Sequence, residues 1–521
     1  RTTLNINLTI RDIFQSPTIA TLTQHTNTHT TTHKRPALVT EDRPERLPLS
    51  FAQRRLWFIS TLEKRGTAYN VPLSVRLDGE LDADALRAAF ADLSRRHEVL
   101  RTVFGSVDGE PFQRVLDPED APVVFERRRV AEDRLDEELR AAAGHAFDLG
   151  AEPPYRVTLF DLGDGAHVLL VLLHHIATDG QSLRPLFDDL AAAYTARRDG
   201  TAPDWRPLPV QYADYALWQR RLLGDESDPE SVLSGELAYW REALAGLPEE
   251  LSLTLDRPRP AVAGHRGGAV VVDFGQELRS RVAELARAER CTVFMVLQAA
   301  LAATLTRLGA GEDIPIGSPV ASRSDEAVND LVGFFVNTLV LRTDTSGNPS
   351  FRELLSRVRA LDLDAFAHQE APFDLVLEAL NPVRSLARHP LFQICLALES
   401  GGDAGLRLPG VRSESSGVVD THSAKFDLEF LLREDEEAGL TGAVLYSSDI
   451  FDHTTVERLV AAFERLLRQV TVDAGVLVGD VDVLSPEERT LVMETWNNTH
   501  APIDNRPLNE HFEEHAHTNP N

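Results

Sequence analysis

Hydrophobic positions follow two rhythms along this chain. Residues 75–77, 155–160 and 168–173 are short runs that read as strands, and the last, leucine- and valine-rich without a polar residue, has the pattern of a buried one. Residues 85–97, 182–198, 279–289 and 292–308 are longer and carry apolar positions at helical spacing, or stay apolar throughout as a buried helix does. Strands alternating with helices of this length predict an α/β fold. A Pro- and Gly-containing stretch, 224–247, separates two halves of comparable size. The ends read differently. Ser16 and Pro17 form an N-cap and first-turn signal, and residues 23–34, rich in Thr and His, have almost nothing to bury and read as a flexible linker. The run Leu484-Ser485-Pro486-Glu487-Glu488 is a capped helix start.

Composition narrows the class. With 521 residues, 43% hydrophobic and 26% charged, the chain has room for two or more cores. A net charge of -28 argues against nucleic acid as a partner, because phosphate binding needs a basic surface. Cys291 and Cys395 are too few for a disulfide framework and read as packing residues, so a cytoplasmic location is expected. No apolar run approaches the ~20 residues that cross a bilayer, and no secretory leader precedes the first helix, so no membrane partner is expected. Starting at Arg1, the chain reads as a piece of something longer.

The candidate chemistry sits where the run 168–173 ends. His174 and His175 fall at a strand-to-loop junction, where a rigid strand fixes side chains that can project into a cleft. Imidazole with an ordinary pKa of ~6.5 accepts and returns a proton at neutral pH, which suits amine attack on a thioester or ester. Asp179 supplies a charge that can orient a ring or hold an arginine, and Gly180 lets a substrate approach the backbone. The competing reading is a pair of buried, merely hydrogen-bonded histidines. The histidines of the linker are too irregularly spaced for a designed metal site, and none is expected.

His174-His175-Ile176-Ala177-Thr178-Asp179-Gly180 is an HHxxxDG motif, and six further blocks occur in order around it. They start at Leu49-Ser50-Phe51, Arg96-His97-Glu98, Tyr212-Ala213-Asp214, Val332-Gly333-Phe334, His368-Gln369-Glu370 and Arg384-Ser385-Leu386. Together, over residues 46–486, they resemble condensation domains of nonribosomal peptide synthetases. The resemblance implies two chloramphenicol acetyltransferase-like lobes in a V, with the active site in a tunnel at their junction. It divides the chain into the end of a peptidyl carrier domain (1–24), a flexible linker (25–46), an N-terminal lobe (47–224), a C-terminal lobe (225–484) and a connector to an adenylation domain (485–521). It implies peptide-bond formation, the amine of an acceptor aminoacyl thioester attacking a donor thioester. His175 would position the amine and accept its proton or stabilise the zwitterionic intermediate. His174 would be structural, Asp179 would fix the loop through an arginine for which Arg323 is the candidate, and Gly180 would offer an N–H near the oxyanion. Arg55 would gate the channel or hold pantetheine, or else form a structural ion pair. Asn337, Gln393 and Ser447 would hydrogen-bond substrate or pantetheine amides, or else satisfy backbone. Gln181 stands where many relatives have Trp, exchanging an apolar wall for an amide.

The partners implied are an upstream donor carrier, a downstream acceptor carrier and an adjoining adenylation domain. No cofactor is expected in the domain itself, since substrates arrive as phosphopantetheine thioesters. The blocks 51–58, 67–72 and 381–390 resemble the subtype that couples a D-configured donor to an L acceptor. Two alternatives are carried: a non-catalytic carrier-docking or recruitment module of the same fold, and a free-standing acyltransferase.

Overall fold

The computed structural model describes residues 12–13, 18–28, 35–63, 66–67, 69–400, 405–418, 423–500 and 504–520. It separates into a unit of residues 1–481 and a second of residues 482–521.

The buried run of leucines and valines becomes a strand at the centre of the first sheet. This sheet runs β12 (Val411–Val418), β2 (Asn70–Gly79), β7 (Ala166–His174), β6 (Tyr155–Gly163), β5 (Val124–Arg129). β7 is antiparallel to both neighbours, and its last residue, His174, pairs with Asn70. Helices Ala83–Arg96 and Leu183–Arg198 contribute Phe90, Leu93, Leu186 and Tyr194 to the core beneath one face. A second sheet runs β10 (Asn337–Asp344), β9 (Asp313–Val320), β11 (Ile394–Ser400), β13 (Leu428–Asp435), β14 (Gly439–Ser447), β8 (Gly267–Phe274). Its core is built with the helices Gly275–Ala288, Val293–Arg307, Phe351–Ala367 and His453–Val470. A three-stranded sheet joins β1 (Leu47–Pro48), β4 (Glu110–Val115) and β3 (Thr102–Val107). The two large sheets, each with its own helices, are the two lobes of the expected α/β fold.

The structure corrects the lobe boundaries. Residues Val328, Leu331, Val332, Phe335, Leu406 and Leu408, all in the C-terminal half, lie in the N-terminal lobe's core. β12, also from the second half, forms an edge of the N-terminal sheet by antiparallel pairing with β2. The chain therefore crosses between lobes twice after 224, and both crossings carry apolar residues that bury on the first lobe.

The linker expectation is corrected as well. A helix spans Ile19–Thr28, and residues 35–46 form a packed strap rather than a free tether. Leu38 is buried, which contributes about 1.5–3 kcal/mol. The Arg43 guanidinium donates to both oxygens of buried Asp214, at 3.0 and 3.1 Å, and to Glu98 at 2.7 Å. Arg35 lies over the Trp218 ring and pairs with Glu370 at 3.1 Å. The Ser16–Pro17 cap and the side chains of the linker histidines lie outside the described residues.

In the second unit, Ser485 and Glu488 complete a capping box at the start of Pro486–Thr490, with N–H to oxygen distances of 2.7 and 3.1 Å. A further helix spans Leu508–Thr518.

Candidate active site

β7 ends at His174, and two single turns of 3-10 helix, His175–Ala177 and Gly180–Ser182, carry the chain across the strand end. The His175 amide donates to the Tyr69 carbonyl at 2.8 Å, so the loop stays tied to the start of β2. His174 is turned inward. Its Nδ1 accepts from the Ile176 amide at 3.1 Å, and its ring meets Phe147 edge-on. Burial, with a smaller contribution from Lys425, lowers its pKa to about 4.

His175 is oriented differently. Its Nδ1 lies 3.1 Å from the Thr178 carbonyl, a contact that only a protonated Nδ1 can make, which leaves the lone pair on Nε2. The ring lies 5.6 Å from that of Phe334, and the residue as a whole is half-buried. Burial lowers its pKa to about 3, Lys425 and His174 add to the effect, and the Thr178 carbonyl opposes it. At neutral pH the ring is therefore neutral.

Asp179 holds the loop. Its Oδ1 accepts from the Ser182 amide at 2.9 Å, the Ser182 hydroxyl at 2.7 Å and Arg323 Nη2 at 3.1 Å, while Oδ2 accepts from the Phe335 amide at 2.9 Å. The Arg323 side chain is 5% exposed, also donates to the Val328 and Leu331 carbonyls, and stacks 4.2 Å above the Phe335 ring. A buried carboxylate with four donors and a buried guanidinium with carbonyl partners satisfy each other. Because Arg323 and Phe335 come from the C-terminal half, this cluster binds the histidine loop to the first crossing.

Gly180 is exposed, its φ is not positive, and a Cβ there would meet only Glu399 Oε1, at 3.7 Å. Its smallness is thus not demanded by backbone conformation. Gln181 is exposed beside it.

Two of the polar candidates, Asn337 and Gln393, have their side-chain amides committed to backbone. Asn337 donates to the Gln369 and Ala371 carbonyls and accepts from the Phe373 amide at 3.0 Å, so its amide pins the 369–373 loop. Gln393 accepts from the Leu251 amide and donates to the Glu249 and His389 carbonyls. Ser447 ends β14, and its carbonyl accepts from Ile450 and Phe451. Of the two roles expected for Asn337 and Gln393, these contacts are those of the backbone-satisfying one. Arg55 lies over the Phe373 ring at 4.9 Å, with Nε 3.7 Å from Asp374 Oδ1, whose pKa burial raises to about 6 against the effect of Arg55. Arg55 and Asn337 line one recess with Phe334 and Phe335.

Sequence reasoning did not single out Ser182, Lys425 or Glu429. Ser182 bridges Asp179 and Gly333. Lys425 Nζ lies 5.2 Å from the Tyr69 ring centre. Only Ser182 left a signal, the serine three residues after Asp179, which is capping spacing. Neither thiol is activated, since burial raises Cys291 to about 11 and Cys395 well above its ordinary value.

The condensation-domain family profile matches residues 44–493. The chain is 48% identical to a dimodular nonribosomal peptide synthase of Bacillus subtilis (strain 168) over 521 residues, 99% of this chain and 22% of that protein. It is 44% identical to an isonitrile lipopeptide synthase of Mycobacterium tuberculosis over 469 residues, 88% of this chain and 19% of that one. It therefore spans about a fifth of the length of these relatives. Among solved structures, the X-domain from teicoplanin biosynthesis aligns with a TM-score of 0.80 at 37% identity, over 86% of this chain and all of that one, and the X-domain is also solved in complex with OxyB. The first condensation domain of the calcium-dependent antibiotic synthetase shares the fold, with a TM-score of 0.69 at 21% identity over 85% of this chain and all of that one. The matched profile, the relatives and the ordered motifs agree: the chain belongs to the condensation-domain family of nonribosomal peptide synthetases.

Proposed function

We propose that this domain is catalytic and forms a peptide bond, the α-amine of an acceptor aminoacyl-carrier thioester attacking the thioester of an upstream donor carrier. The observation that carries this reading is the state of His175: a neutral ring, its tautomer set by Thr178, on a half-buried residue at the end of a buried strand. An imidazole this weakly basic is a poor reservoir for a proton, so it favours positioning. Nε2 accepts a hydrogen bond from the amine and points the nitrogen lone pair at the carbonyl carbon. Holding two tethered substrates at attack distance removes up to ~7–11 kcal/mol of the barrier. Gly180 leaves its N–H accessible near the developing oxyanion, where one such donor is worth ~2.7–4 kcal/mol. His174 and the Asp179–Arg323 pair keep this geometry without touching substrate. The resemblance to the D-donor subtype extends the proposal to a D-configured or achiral donor, with an adenylation domain adjoining downstream.

The experiment is intact-protein mass spectrometry of a loaded donor carrier mixed with a loaded acceptor carrier and this domain. Acyl mass moving onto the acceptor supports the reading. The similarity to the X-domain, which is solved bound to OxyB, favours a second reading as a recruitment module. That reading predicts carrier or partner binding with no transfer from any donor.

A further inference from the structure

One face of the second sheet carries two kinds of charge: Arg433 and Glu399 pair with each other at 3.3 Å, while Glu429 has no such pair among the described residues. Along β13, Leu428, Phe430 and Leu432 enter the core, so Glu429, Leu431 and Arg433 face the other way. Parallel pairing sets Glu429 beside Cys395 and Arg433 beside Glu399 on the same face. Two ties bring this face against the histidine loop. At one end Lys425, three residues before β13, lies over the ring of Tyr69, whose carbonyl holds the His175 amide. At the other end Glu399, about 13 Å along β11 from Cys395, lies against Gly180. Glu429 belongs to the Lys425 end, the end nearest His175.

Lys425 and Glu429 are both partly exposed, and neither makes a hydrogen bond or an ion pair with a described residue, each other included. Opposite charges near one another and left unjoined are costly for a fold to keep, and that cost is offset when a ligand of matching charge comes between them. Burial is the main influence on His174, His175 and Glu429, lowering the pKa of both imidazoles and raising that of the carboxyl; Lys425 adds to the first effect and opposes the second.

The proposed reaction passes through a species of matching form. As the amine lone pair forms the C–N bond, the carbonyl π pair moves to oxygen, giving an oxyanion and an ammonium on adjacent atoms. The oxygen pair then returns, the C–S bond breaks with its electrons on sulfur, and the ammonium proton passes to the departing thiolate. The products are the amide and a free pantetheine thiol.

We propose that Lys425 and Glu429 are catalytic residues that flank this zwitterionic intermediate, Lys425 facing the oxyanion and Glu429 the ammonium. The inference rests on the proposed condensation activity and adds two residues to it. Lys425 stands beside the histidine loop before the reaction, and it favours the carboxylate form of Glu429 against the burial that raises the pKa of that group, so the pair meets charge as it develops and stabilises the intermediate more than the neutral reactants.

The test is transfer between loaded carriers by wild type, Lys425→Met, Lys425→Arg and Glu429→Gln, with kcat and the KM for each carrier measured separately. The Met variant is expected to lose about 100- to 1000-fold in kcat, as removal of an oxyanion donor does, with both KM values unchanged. The Gln variant is expected to lose about 10- to 100-fold, and the Arg variant to recover most of the rate. Wild-type affinity for a loaded carrier serves as the folding control, and the isosteric Gln variant carries the test if the Met variant fails it. Unchanged kcat, or an effect confined to KM, overturns the inference while leaving the condensation reading intact. Absence of transfer by wild type overturns that reading and this one with it.

Discussion

Removing the Asp179 carboxylate and removing the Arg323 charge have unequal consequences, and the structure says by how much. Asp179→Ala deletes one acceptor that serves four donors: the amides of Ser182 and Phe335, the Ser182 hydroxyl and Arg323 Nη2. A guanidinium 5% exposed is left facing the hole, so the cost is that of breaking a buried pair, about 3–5 kcal/mol. Arg323→Met leaves the carboxylate with two amides and a hydroxyl and keeps an apolar chain over Phe335. It gives up the hydrogen bonds to the Val328 and Leu331 carbonyls and to the Ser182 hydroxyl, and the pair itself, about 1–3 kcal/mol. The double variant has no buried charge to leave unpaired, so it should cost less than the sum by about 2–3 kcal/mol. Hydrogen exchange over residues 323–335 and 174–183 reads the opening free energy of both partner segments in each corner of the cycle. Effects that add to within ~0.5 kcal/mol would refute the coupling, and so would an arginine variant that costs as much as the alanine.

Gly180→Ala and Gly333→Ala should separate site from scaffold. A Cβ at Gly180 meets ordinary contact at 3.7 Å, so Tm is expected to hold while transfer falls. At Gly333 it would lie 2.1 Å from Tyr212 Cδ2, so unfolding at lower temperature is expected, and the reverse order in a melting series contradicts the geometry. His389 packs among Phe373, Phe392 and Phe426, and burial lowers its pKa to about 3 against ~6.5 unfolded. The unfolded chain therefore takes up the proton first, and stability present above pH ~6.5 is lost as pH falls toward 3. His389→Phe should gain on wild type by about 1–2 kcal/mol between pH 7 and pH 5, read as a widening Tm gap; a constant gap sinks the argument. Arg43→Ala releases the strap from Asp214, a partly exposed pair worth about 1–3 kcal/mol, and limited proteolysis should then cut within residues 35–46.

What the sequence disclosed follows the strength of local pattern. The strand 168–173 and the turn after it were legible because an all-apolar run ending in His-His-x-x-x-Asp-Gly admits few alternatives. For Asn337 and Gln393 the sequence left substrate and backbone both open, because an amide in a motif looks the same whether its partner is a ligand or a main-chain carbonyl, and only tertiary structure tells. The strap was taken for a free linker because Leu38, Arg35 and Arg43 show no period; what holds them are long-range partners on Trp218 and Asp214. β12 was invisible for a similar reason: Val-Arg-Ser-Glu-Ser-Ser is polar, and pairing with β2 makes it a strand. Lys425 lies in an aperiodic loop, and its nearness to the histidines exists only once two distant sheets meet.

The most direct test of the central claim is single-turnover acyl transfer between loaded carriers by wild type and by His175→Ala. A positioned imidazole predicts transfer by wild type and a loss of about 10²- to 10⁴-fold in the variant, with carrier affinity retained. Equal rates in the two proteins, or binding without transfer in both, would contradict it.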